Sequence, residues 1–191
     1  MTGVTGKAPD FPQTRLALRA WRLDKAGMAV VSLNASTRKK SWLSTAMASP
    51  VGRWPHTGML LASCQSGGKS HEDEPVPAVE CTCGIYATTD LDVINSYLRK
   101  DAPVLGVVEL GGRVIPATQG YRAAAARVAA ILLIDEALTE SHSTLRKLAA
   151  AYRVPAVVPH SADPEDYREI VGTPSLAAEA EEFLRGIGGQ A

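Results

Sequence analysis

The clearest hydrophobic pattern lies in the second half of the chain, in two long apolar runs. Residues 104–117 and 121–134 have equal lengths and flank the turn-prone tripeptide Thr118-Gln119-Gly120. This arrangement predicts two long antiparallel strands joined as a hairpin, with a bulge or bend at Gly111-Gly112. The alanine run at 123–126 favours helix, because alanine is the best helix former, so a helix over the second run is an alternative.

Shorter apolar runs predict further strands. Apolar and basic side chains alternate over residues 16–23, and a second apolar run at 28–33 follows a short polar turn. Together these two runs predict a β-hairpin. The runs at 57–64, 83–88 and 154–158 are additional strand candidates.

Apolar residues at helical spacing predict helices near 90–99, 144–152 and 175–185. Pro164 is suited to open a short helical segment that ends at Val171, since proline is favoured in a first helical turn. The expected fold class is therefore α+β. It consists of a mostly antiparallel sheet, with a small barrel as an alternative arrangement, and three or four peripheral helices.

The length and composition of the chain fit one main domain. A chain of 191 residues that is 46% hydrophobic can bury one sizeable core. We expect a flexible leader at 1–13, a single globular domain at 14–186 and a tail at 187–191. The chain has no run of about 18 or more apolar residues and does not begin with a secretory pattern, so neither a membrane protein nor an exported one is predicted.

Charge is unevenly distributed although the formal net charge is zero. Residues 1–55 contain nine Lys or Arg against two Asp or Glu, and the rest of the chain is acidic by the same margin. A basic front can favour a polyanionic partner. A basic loop balanced by the remaining surface is an equally simple interpretation.

The candidate chemistry is concentrated between residues 64 and 83. Cys64, His71, Cys81 and Cys83 comprise all three cysteines of the chain and one of its four histidines. Thiolates and an imidazole gathered this closely predict a Cys3His zinc site, which is tetrahedral, closed and structural. Alternating side chains on a regular strand point to opposite faces, so Cys81 and Cys83 must lie in a turn, which Gly84 makes easier.

Two alternatives to zinc are open at this stage. The thiols can be two buried free cysteines and one surface cysteine, with His71 solvated beside the acidic patch at 72–74. An iron–sulfur cluster is the third possibility. Three cysteines cannot all pair within one chain, which fits a reducing cytosol and predicts a cytoplasmic protein.

Two short motifs resemble known binding elements. Gly67-Gly68-Lys69-Ser70 resembles the end of a phosphate-binding loop, but the first glycine of that pattern is replaced by Ser63, and an acidic, proline-rich segment follows it. Residues 145–155 resemble the start of a helix-turn-helix, but two prolines and three acidic residues occupy the place of its recognition helix. Neither motif therefore predicts the function.

A basic and aromatic loop at 36–55 is the predicted contact surface. Its cations can meet phosphate and its indoles can stack on bases, so the partner expected is nucleic acid or protein. The residues assigned to this surface are Arg38, Lys39, Lys40, Trp42, Arg53 and Trp54.

Catalysis is the alternative function. Cys83 with His71 can form a nucleophile and base, a metal can retain an open position, and Glu109 with Arg113 can flank a cleft. Both residue pairs lack an identifiable third member, and a Glu/Arg pair is usually a surface ion pair. An enzyme using Cys83 and His71, or an open metal site, is therefore the second hypothesis.

Several sequence blocks resemble a known group of proteins. They are Cys-Thr-Cys-Gly-Ile-Tyr-Ala at 81–87, Gly-Tyr-Arg-Ala at 120–123, Arg-Ala-Trp-Arg at 19–22 and the glycine-rich strand at 106–114. Over about residues 15–155 the chain resembles uncharacterised small proteins of actinobacteria and their phages. That group often has a tryptophan where this chain has Gly111. The resemblance carries no activity, and the predicted function is a non-catalytic, zinc-stabilised binding or regulatory module of phage or mobile-element type.

Overall fold

The computed structural model describes residues 14–32, 52–64, 75–98, 104–135 and 139–171. Within them the fold is α+β, with a sheet of seven mostly antiparallel strands. The elements in chain order are β1 (Arg15–Leu23), β2 (Val30–Ser32), β3 (Leu60–Leu61), β4 (Ile85–Ala87), α1 (Leu91–Leu98), β5 (Val104–Ala117), β6 (Gly120–Leu132), α2 (His142–Tyr152), β7 (Ala156–Val157), a 3₁₀ turn (Pro164–Tyr167) and α3 (Arg168–Val171).

The long hairpin predicted from the two apolar runs is confirmed as β5 and β6. The register shifts between Gly111 and Val114, where Gly112 has φ +66°, so the predicted bulge is also present. The alanine run lies in β6 and not in a helix. Because β6 pairs with β5 on one side and with shorter strands on the other, tertiary pairing overrides the helix propensity of alanine.

The strand order is β2-β1-β5-β6-β3, and β4 and β7 also pair with β6. Only the β6–β7 pair is parallel. The alternative of a closed barrel is wrong, because the sheet is not closed by continuous ladders. Single antiparallel bridges nevertheless join Leu18 to Thr88 and Val31 to Arg53.

Both faces of the sheet are covered. Ala17 and Trp21 of β1 face one apolar cluster, which includes the buried side of α2. Leu16 and Leu18 face a second cluster with Ile94 of α1. The alternation along β1 therefore places one set of side chains under α2 and the other under α1 and the 3₁₀ turn.

The other predicted elements correspond to the structure with changed lengths. The N-terminal hairpin, the helices near 90–99 and 144–152, and the short segment after Pro164 are confirmed. The strand expected at 57–64 is reduced to Leu60–Leu61, since Gly58 has φ +77° and cannot continue a strand. The helix predicted at 175–185, the leader at 1–13 and the tail at 187–191 lie outside the described residues.

Among the described helices, none is both long and apolar enough to cross a bilayer.

Candidate metal centre

The three cysteines lie together at one edge of the sheet. β3 pairs with β6 at Ala125 and Ala126, and β4 pairs with the adjoining stretch of β6 from Tyr121 to Ala123. The chain runs from the end of β3 to Cys64, and there it lies beside the segment 78–84, which leads into β4. Two short strands placed end to end along one edge thus bring residues that are 17 positions apart in the chain into contact.

The three sulfur atoms all lie within 4.8 Å of one another. The Cys64 and Cys81 Sγ atoms are 3.7 Å apart, and none of the three cysteines forms a disulfide. Cys81 and Cys83 are each 8% exposed, and Cys64 is partly exposed. The predicted convergence of the three cysteines is confirmed, and such a cluster can hold a metal ion.

The Cys81–Cys83 pair lies in a turn, as its spacing requires. Both residues precede β4, and the Cys81 amide donates to the Ala78 carbonyl at 3.3 Å. Gly84 has φ +117°, and a Cβ atom there would lie 2.9 Å from the Pro77 Cβ. Glycine therefore allows the chain to turn from the cysteines into β4 with no side chain in the way.

A buried arginine stabilises this turn through hydrogen bonds to its backbone carbonyls. Arg122 of β6 is 9% exposed and donates through Nη1 to the carbonyls of Ala78 and Cys83, each at 3.3 Å, and also to that of Cys81. Its Nη2 donates to the Val79 carbonyl at 3.3 Å. One guanidinium therefore organises the backbone of the segment 78–83, which we call the cysteine turn.

Tyr86 of β4 completes the support of the cysteine turn. Its hydroxyl donates to the Thr82 carbonyl at 2.9 Å, and the Arg122 Cζ lies 5.9 Å from the centre of its ring. Arg122 and Tyr86 are direct partners in the β4–β6 register. Sequence reasoning missed both residues. The sequence signal for Arg122 is its charge directly before the alanine run of β6, and this signal does not identify the carbonyls that Arg122 binds.

The electrostatic environment of Cys83 opposes ionisation in the metal-free protein. Burial raises the pKa of the Cys83 thiol, and the neighbouring Cys81 raises it further. The Ala78 amide, which donates to the Cys83 sulfur at 3.3 Å, acts in the opposite direction but does not prevail. A cysteine nucleophile is activated by a lowered pKa, which is the opposite direction.

The other predicted contact residues have structural roles where the structure describes them. Trp54 is 1% exposed, its ring centroid is 5.4 Å from that of Trp21, and its indole N–H donates to the Ser32 hydroxyl at 3.0 Å. A buried indole presents no face to a base, so Trp54 packs the core and does not stack on a partner. Arg53 forms an ion pair with Asp24 at 3.2 Å. His71 and the basic residues at 38–42 lie outside the described residues.

The candidate catalytic pair on β5 is also explained by structure. Glu109 is 4% exposed and forms a 2.5 Å ion pair with Arg127, its partner across the β5–β6 register. Arg113 donates to the Pro75 carbonyl at 3.2 Å. Glu109 therefore belongs to a largely buried cross-strand pair with Arg127.

A cavity of about 730 Å³ adjoins the cysteine turn. Its walls come from the cysteine turn itself, from β1 and β4, from α1 and from the turn between β5 and β6. Its lining includes Val79, Cys81, Tyr86 and Arg122.

Comparison of the chain with protein-family models, with curated proteins and with solved structures finds no match.

Proposed function

We propose that this protein is a non-catalytic binding module stabilised by a structural zinc ion. Cys64, Cys81 and Cys83 supply three ligands, and His71 supplies the fourth. The observation that carries the proposal is the spacing of the sulfurs. Tetrahedral zinc with bonds of about 2.3 Å places its thiolates about 3.8 Å apart, and the Cys64 and Cys81 sulfurs are 3.7 Å apart.

The charge around the cluster supports the same assignment. Three thiolates and a neutral imidazole leave one net negative charge on a zinc complex. Arg122 brings one positive charge to the cysteine turn, and no carboxylate of the described residues forms an ion pair with it. The guanidinium is therefore placed to orient the ligand-bearing turn and to offset the charge of the centre.

The zinc would act by fixing a segment that has little structure of its own. Residues 75–84 form no helix or strand, and they include Pro75 and Pro77. Ligation ties this segment to the end of β3 and so fixes one wall of the adjoining cavity. Val79 and Tyr86, which are 46% and 45% exposed, lie in that wall and offer apolar contact area to a partner.

The partner we propose is a nucleic acid or a protein. It would contact the exposed side chains of this wall and the basic residues at 38–42. Trp54 has no part in the contact, because it lies in the core. Reduced thiols at the centre favour the cytoplasm as the compartment. The raised pKa of Cys83 supports the non-catalytic assignment over an enzyme that uses this thiol as its nucleophile.

Metal analysis of the full-length protein tests the proposal. We expect one zinc ion per chain and three thiols that resist alkylation until a chelator is added. Cys64→Ser, Cys81→Ser and Cys83→Ser should each lower zinc affinity steeply, whereas Ser63→Ala, beside the first ligand but exposed, should not. Metal-free protein with one rapidly alkylated thiol would refute the structural zinc and favour the enzyme.

Replacing zinc with cobalt(II) tests whether the shell is closed. A complete Cys3His shell predicts an absorption spectrum that does not change when small anions such as azide are added. A spectrum that shifts with azide would show an open coordination position and would again favour an enzyme.

A further inference from the structure

The three thiols of the cluster differ in their access to solvent. Cys64 is partly exposed, and Cys81, although largely buried, lines the cavity of about 730 Å³. Cys83 is as buried as Cys81 and is not among the residues that line this cavity. A small oxidant therefore reaches Cys64 and Cys81 more readily than Cys83.

The same two thiols are placed to react with each other. Their sulfurs are 3.7 Å apart and must approach to about 2.05 Å to bond. Cys64 lies three residues beyond the end of β3 and belongs to no strand, so closing the gap does not require the β3 pairing to move. Cys83, by contrast, accepts a hydrogen bond from the Ala78 amide, which holds its sulfur in place.

We propose that Cys64 and Cys81 form a modification site for hydroperoxides, at which oxidation creates a disulfide and expels the bound metal. The Cys64 thiolate attacks the peroxide, the O–O bond breaks, and a sulfenic acid forms on Cys64 while the departing hydroxide takes a proton from solvent and leaves as water. The Cys81 thiolate then attacks that sulfur, the S–O bond breaks, and a second water leaves with a proton from solvent. Two thiolates lose two electrons in total and hydrogen peroxide gains them.

Metal release follows from the loss of donors. A cysteine binds zinc as its thiolate, and the disulfide removes two of the three sulfurs from the coordination shell. The expulsion of zinc rests on the function proposed above, whereas the pairing of Cys64 with Cys81 rests on their 3.7 Å sulfur separation and on the access of both thiols to solvent. The contacts of Arg122 with the cysteine turn use backbone carbonyls and not sulfurs, so the turn should stay in place and the reaction should be reversible.

The test treats zinc-loaded, full-length protein with hydrogen peroxide. Released zinc is followed with a chromophoric chelator, and disulfides are mapped by mass spectrometry of peptides. We expect one zinc released for each Cys64–Cys81 disulfide, and recovery of the zinc-bound form after reduction in the presence of zinc. Cys83→Ser, which keeps the reactive pair, should still form this disulfide, and Cys64→Ser should not.

The possible outcomes separate the two proposals. A mapped Cys81–Cys83 disulfide, or sulfinic acids with no disulfide, would overturn the pairing even if zinc is bound and released. Protein isolated without zinc would refute the proposed function. In that case, oxidation of the metal-free chain still decides the pairing, since a Cys64–Cys81 disulfide supports it and any other product overturns it.

Discussion

The hydroxyl of Tyr152, at the end of α2, donates a 3.0 Å hydrogen bond to the backbone carbonyl of Trp54. The same oxygen accepts a 3.0 Å bond from the amide of Val30 in β2. Tyr152 is 5% exposed, so one buried hydroxyl joins α2 to two segments that are distant in the sequence. Burial also raises the pKa of Tyr152, which keeps the hydroxyl protonated and able to donate.

Replacing this tyrosine should therefore destabilise the protein. Tyr152→Phe leaves the Trp54 carbonyl and the Val30 amide buried without their partner, which we expect to cost about 1–3 kcal/mol of unfolding free energy. Urea denaturation followed by tryptophan fluorescence measures the loss. Tyr121→Phe is the matched control, because the half-buried Tyr121 makes no hydrogen bond through its hydroxyl to any described residue. Equal stabilities for the two variants would contradict the prediction.

Asp24 makes the stability of the N-terminal hairpin depend on pH. Its carboxylate accepts from the amides of Met28 and Ala29 at 2.9 and 3.2 Å and pairs with Arg53. Burial by itself raises the pKa of Asp24, but these three partners together hold it below its ordinary value of 3.8. A lowered pKa means that the folded protein favours the carboxylate more strongly than the unfolded chain does.

The sign of the effect follows from linkage. The contribution of Asp24 is fully present above its unfolded pKa and is lost as the pH falls through the lower pKa of the folded state. Asp24→Asn should therefore be less stable than the natural chain at neutral pH, and the difference should shrink below about pH 4. Chemical denaturation across this pH range measures it. Asp92→Asn, at an exposed helical position, should retain the natural pH dependence, and a parallel loss in that variant would point to a general charge effect.

Gly106 of β5 lies where neighbouring atoms leave no room for a side chain. A Cβ atom at this position would lie 2.3 Å from the Ala130 carbonyl oxygen and 2.8 Å from the Trp21 ring. We expect Gly106→Ala to destabilise the protein by about 3 kcal/mol, because neither the β6 backbone nor the buried indole can move freely. Thermal and urea unfolding measure the change.

The control for this substitution is Gly27→Ala. Gly27 has φ +68° but open space around its Cβ position. The substitution should therefore cost only about 1–2 kcal/mol, from backbone strain. A smaller loss at 106 than at 27 would show that the sheet adapts to the added methyl group.

The sequence was sufficient wherever local pattern determines structure. The β5–β6 hairpin follows from two equal apolar runs about one turn, and the bulge follows from a glycine pair in the first run. The approach of the three sulfurs was predicted from residue type and spacing, because thiolates gathered at such short spacing favour a shared metal ion. Side-chain alternation also required Cys81 and Cys83 to lie in a turn, as they do.

Long-range contacts account for what the sequence did not reveal. Trp54 beside Arg53 has the same local pattern whether the indole packs or stacks, and only its contacts with Trp21 and Ser32 decide the matter. Arg122 likewise acts on carbonyls about 40 positions earlier in the chain, at Ala78 and Cys81. No periodicity within β6 encodes those partners.

Arg122 therefore provides the last prediction, which concerns metal affinity. Arg122→Lys keeps the positive charge but loses the planar fork that reaches several carbonyls, and Arg122→Met loses both. We expect zinc affinity to fall by about 10-fold to 100-fold, with lysine the milder change, since the arginine positions the turn that carries two ligands. Competition with a chelator of known affinity measures the zinc affinities of the two variants and of the natural chain. Arg146→Met, at an exposed position of α2, should bind zinc like the natural chain, and equal affinity in all three variants would show that the carbonyl contacts of Arg122 do not support the metal.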